Sequence, residues 1–227
     1  MNEQEIRKLD TFKRVRNFGV THGSLFPAGT LARELFDAVA GIVSELEGHS
    51  AAQSAGRGNA RQGTAGKAVA RAALLEDLSI LRRTARSMSV VITGLEDKFR
   101  IPRNPNDQEL LETARAFLGH AEPLKAEFLR REVPESVFTD LRENIAAFEA
   151  ALSGQYTGKE ESVTAAAAID DAVQRGADAL RQLDPIVRNK LHNIPAALAA
   201  WDSAKRTERA PRRSTPNPSG APQTPTQ

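Results

Sequence analysis

Apolar residues recur at alternating steps of four and three along three separate stretches of this chain, and that spacing restricts the fold more than any other feature. Leu74, Leu78, Leu81, Ala85, Met88 and Ile92 follow steps of 4, 3, 4, 3 and 4. The same rhythm runs through Leu110, Ala114, Phe117, Ala121, Leu124 and Phe128, and again through Ile169, Val173, Gly176, Leu180, Leu183 and Val187. A 3.5-residue repeat keeps one stripe of a helix turned toward a partner helix, so each stretch is a seam. Leu31, Leu35, Val39, Ile42 and Leu46, and Phe138, Leu141, Ile145, Phe148 and Leu152, mark two further helical faces. With 227 residues, 40% of them hydrophobic, the chain can bury a sizeable core. Only 5% are aromatic, and runs of β-branched residues are few, which disfavours sheet. The fold class is all-α: an elongated antiparallel bundle of four to five long helices, with short N- and C-terminal helices and a disordered C-terminal tail.

Breakers and caps divide the chain. A first helix is expected over about Glu3 to Phe18, ended by "GVTHGSLFPAG". A second covers Thr30 to Ala52. The stretch "SAGRGNARQGTAGKA", residues 54–68, holds four glycines and three basic side chains and reads as a flexible hairpin joint into a helix from Thr64 to Ile92. "TGLEDKFRIPRNPND" follows as an irregular connection. Asn106 with Glu109 forms a capping box, and Pro123 predicts a kink or two stacked helices. A helix from Pro134 to Gly154, a turn at "SGQYTG" and a second capping box at Thr157 and Glu160 lead into an alanine-rich helix to His192, interrupted at Asp184 and Pro185. Gly176 in its seam lets a neighbour approach closely. A last helix, Pro195 to Arg206, carries Trp201, the sole tryptophan. The bundle domain is thus 1–206, divided into an N-terminal helix and loop at 1–28 and the bundle proper at 29–206. A Pro-rich tail at 207–227 has five prolines and no large apolar residue, a composition that cannot offset chain entropy.

Cysteine is absent, which removes disulfides, thiolate metal sites and Cys nucleophiles. The N-terminus has no apolar core of a secretory signal, and no run approaches the roughly 18 apolar residues of a membrane span. A cytoplasmic location is the expectation. The net charge of +2 conceals segregation: residues 1–56 carry −1, 57–103 carry +6, 104–184 carry −8 and 185–227 carry +5. A basic block is a common nucleic-acid footprint, but here an acidic block sits in the same chain.

The glycine-rich stretch invites comparison with a phosphate-binding loop. That motif needs a first glycine where this chain has Arg61, a hydroxyl where it has Ala68 and a preceding strand, so nucleotide hydrolysis is excluded. Arg57, Arg61 and Lys67 remain candidates for anion binding near a helix N-terminus, beside the simpler reading of a solvated joint. Arg71, Arg82 and Arg86, candidate anion-binding residues as well, lie on one flank of the leucine stripe, where bundle helices exchange ion pairs; the alternative for this flank is a nucleic-acid face. Glu112, Glu127, Glu149, Asp170 and Asp178 are available counter-charges. None of His22, His49, His120 and His192 has a Glu three residues before it, so the di-metal bundle motif is absent, and Glu45 with His49 is one isolated i, i+4 pair. No catalytic residue, metal ligand or cofactor is assigned.

The combination "FKRVRNFG", "GRGNARQGTAGKAVAR", "GLEDKFRIPR" and "LDPIVRNKL" resembles a group of uncharacterised, all-helical bacterial proteins over about residues 8 to 209. The resemblance implies a bacterial cytoplasmic origin and transfers no catalytic residue, ligand or partner. The expected function is a non-enzymatic structural or protein-interaction module, with a protein partner or a homo-oligomer and no membrane span. The alternative is nucleic-acid or other polyanion binding through residues 57–103 and the basic tail, which would weaken steeply with salt.

Overall fold

A computed structural model describes residues 1–208; the remainder of the expected tail, 209–227, lies outside the described residues. Every regular element among the described residues is helical: α1 (Glu3–Thr21), α2 (Leu31–Met88), α3 (Leu95–Lys98), α4 (Asp107–Ala121), α5 (Lys125–Leu129), α6 (Ser136–Leu191) and α7 (Pro195–Ala204). The chain divides into two compact units, Met1–Leu46 with the segment from Asp170 onward, and Glu47–Ile169. No helix among the described residues is long and apolar enough to cross a membrane.

Two expected joints are helix. Residues 54–68 fall inside the 58 residues of α2, and "SGQYTG" falls inside the 56 residues of α6, which also runs through Pro185. The reason lies within the second unit, where the seam of α2 does not stop at the glycines. Gln53, Gly56, Ala60, Gly63, Lys67, Ala70 and Leu74 continue the three-and-four spacing and are all buried or half-buried. They meet Gln155, Gly158 and Ser162 of α6. A Cβ built on Gly158 would lie 2.5 Å from the Ala60 nitrogen, and one on Gly63 would lie 2.7 Å from the Gln155 nitrogen. Glycine is required there because the two backbones are in contact.

Helix directions in this unit follow from the pairings. Along α2, Gly56, Gly63 and Asp77 meet Gly158, Gln155 and Asn144 of α6 in descending order, so these helices are antiparallel. Arg115 of α4 and Glu122, just after its end, meet Glu149 and Arg142 of α6, again antiparallel. Hence α2 and α4 run in the same direction, and the connection between them must travel back along the bundle. Phe99 anchors that return: it is buried against Phe117 and Phe128, with ring centroids 5.1 and 5.7 Å away. Asn106 and Glu109 form the expected capping box of α4. At Pro123 the helix breaks, a 3-10 turn at Glu122–Leu124 separating α4 from α5.

In the first unit α1, α7 and the outer segments of α2 and α6 enclose Val15, Phe18, Phe36, Val39, Leu183, Val187 and Trp201. The inward stripe of α2 is Ala32, Phe36, Val39, Ile42, Val43 and Leu46, which keeps Val39, Ile42 and Leu46 of the expected face, whereas Leu31, at the helix start, is 55% exposed. Gly176 fulfils its expected role: a Cβ there would stand 2.6 Å from the Phe12 ring. Helix α1 starts at a capping box of Asn2 and Glu5. Thr207 and Glu208, the first residues of the expected tail, contact Thr11 and Arg14.

Candidate functional site: the basic residues of α2

The six basic residues singled out from the sequence all lie on one continuous helix and separate into two kinds. Lys67 and Arg71 are held within the fold. The Lys67 ammonium donates to an Asp107 carboxylate oxygen at 2.9 Å, and an Arg71 guanidinium nitrogen donates to the other oxygen at 3.0 Å. Arg71 also donates to the Pro105 carbonyl. Asp107 is the first residue of α4, so the triad ties α2 to a helix N-terminus, where a carboxylate is favoured.

Arg57, Arg61 and Arg82 are exposed and form no ion pair or hydrogen bond among the described residues. Arg86 is intermediate, 3.5 Å from Glu96 with both side chains largely in water. The partners in these contacts are Asp107 and Glu96, not the five acidic residues suggested by charge balance. Glu149 pairs with Arg115, Glu127 with Arg130 and Arg131, and Asp178 with Arg181. Because 54–68 is helical, Arg57, Arg61 and Lys67 are not gathered on a loop beside a free helix N-terminus. That removes the backbone donors an anion cradle there needs.

Arg83 was not visible as part of a site from the sequence, since it falls outside the flank of Arg71, Arg82 and Arg86. With Ser79, Arg82 and Arg86 it lines a surface cavity of about 310 Å³. Arg83 has no partner among the described residues either. Its signal is the 79, 82, 83, 86 spacing, one face of a helix.

Four carboxylates depart from ordinary acidity: Glu127 and Glu135 are held low by hydrogen bonds from Arg131 and Arg130 and from Lys125, and Asp77 and Asp184 respond to burial as well. Burial raises Asp77 above the usual carboxylate value; a hydrogen bond from Asn144 at 2.8 Å opposes this, and the charges of Asp140 and Glu76 add to it. For Asp184, burial acts upward but is outweighed by hydrogen bonds from Lys205 and Trp201 and by the charges of Lys205 and Arg188, so the net displacement is downward. Both are explained by helix packing: Asp77 sits between α2 and α6, and Asp184 joins α6 to α7 through the Trp201 indole at 2.8 Å. Glu45 pairs with Arg175 across α2 and α6. Among the described residues no three His, Asp or Glu gather closely enough to hold a metal ion.

Comparison with protein-family models, with curated proteins and with solved structures found no match.

Proposed function

We propose that this chain is a non-enzymatic helical module with a structural or protein-interaction role, whose segregated charges organise its own packing. The observation that supports this reading is the Lys67–Asp107–Arg71 triad, in which the basic block of the sequence meets the acidic block between two helices. Arg115–Glu149 and Lys125–Glu135 are further ion pairs in the same unit, both made within the acidic block itself, and Arg175–Glu45 is one in the other unit. Partly buried pairs of this kind contribute modestly each, and chiefly fix register.

The double variant K67A/R71A is expected to lower the melting midpoint by roughly 2–8 °C, as a loss of about 1–2 kcal/mol implies for a chain of this size. R57A/R61A should leave both the midpoint and retention on a heparin column unchanged. Unchanged stability in K67A/R71A would overturn the reading.

A second reading, anion binding through the basic segment, is favoured by one observation: Arg57, Arg61, Arg82 and Arg83 carry no counter-charge among the described residues. Under it, retention falls steeply with salt and falls further when these arginines are replaced.

A further inference from the structure

We propose that the Arg82–Arg83–Arg86 face and the adjoining Val90–Val91 turn at the end of α2 form a docking surface for an anionic lipid bilayer. The proposal rests on the anion-binding reading above and names its partner for this face.

The first support is how the turn is built. Helix α2 ends at Met88, and the backbone N–H groups of Val91 and Ile92 both donate to the Met88 carbonyl, closing a tight turn that Gly94 leaves with φ +80°. Met88 and Leu95 on either side are buried, and Ile92 packs against the same core. Val90 and Val91 face outward at 87% and 79% exposure, more exposed than any other large apolar side chain among the described residues. Single exposed apolar residues are common and need no explanation. Two adjacent ones, held out by an anchored turn, present an apolar point.

The second support is the charge beside it. A step of four places Arg82 and Arg86 along one side of α2, Arg83 joins them around the cavity, and the turn that carries Val90 and Val91 follows directly after the helix end at Met88. Residues 79–103 carry six basic and two acidic side chains. The acidic ones are Glu96, which reaches Arg86, and Asp97; Lys98, Arg100 and Arg103 are exposed and have no partner among the described residues.

A basic face next to a small apolar tip suits an anionic bilayer, where guanidinium groups meet lipid phosphates and the apolar side chains enter the headgroup boundary. A nucleic-acid backbone would use the arginines but leave both valines in water, so it accounts for half of the feature.

The test is co-sedimentation of the full chain with phosphatidylcholine vesicles, with and without phosphatidylserine, alongside a duplex DNA binding assay. Binding is expected only with phosphatidylserine present and should weaken with salt. R82A/R83A should reduce it roughly 25-fold, about fivefold for each cation removed from the surface. V90S/V91S should reduce it roughly tenfold while leaving the salt dependence in place. Helix ellipticity confirms that the variants are folded. No binding to the anionic vesicles, equal binding to neutral ones, or binding undiminished in either variant would overturn the proposal. If DNA binds and vesicles do not, the bilayer is wrong and the anion-binding reading stands; if neither binds, both fail.

Discussion

Asp77 is one of three polar or charged residues buried among the described residues, with Thr11 and Gln53, and its behaviour follows from its surroundings. Burial in the α2–α6 contact opposes ionisation, and the Asn144 amide compensates with one hydrogen bond. A carboxyl whose folded-state acidity is weakened contributes stability that is complete below its unfolded value, about 3.9, and is lost as pH rises through the raised folded value. D77N keeps an acceptor for Asn144 and carries no charge. Its melting midpoint relative to the parent should therefore climb as pH rises from about 3.9 through the raised folded value, and the advantage should be largest above it. A pH-independent difference would show that burial of the charge is not what Asp77 costs.

At the scale of elements, the glycines of α2 and α6 are not equivalent. Gly58 faces open space, so G58A should add about 1 kcal/mol of helix propensity. Gly158 stands against the Ala60 backbone, and G158A should cost about 1–3 kcal/mol because two backbones must part. Urea denaturation of the two variants checks the opposite signs. This contact also marks what is legible in the sequence. The leucine and phenylalanine seams, both the α4 capping box and the break at Pro123 follow from apolar spacing and local chemistry. The continuity of α2 and α6 does not, because Gly56, Ala60, Gly63 and Gly158 keep the register without apolar bulk, and glycine read alone signals a turn. The partner of Lys67 and Arg71 was hidden for another reason. Asp107 reaches them only because residues 89–106 return along the bundle, a long-range fact that charge counting cannot supply. The unpaired arginines were legible as a basic stretch, but the valines beside them gain meaning only once their exposure is known.

For the whole molecule, α2 and α6 each supply residues to both compact units. Trp201 is fully buried in the first unit and is the sole tryptophan. Its fluorescence reports on that unit, whereas ellipticity reports on both. The two thermal transitions should coincide, and G158A in the second unit should shift them together. Separated transitions would show that the units melt independently. The glycine contact has a further consequence for the order in which the chain is made. Asn59 and its partner Glu161 are 102 residues apart, so at about 5–20 residues per second the ribosome delivers the second half of this contact roughly 5–20 s after the first. Until then the segment around Gly56 to Gly66, poor in intrinsic helicity, has nothing to lie against, and it completes α2 only when α6 emerges.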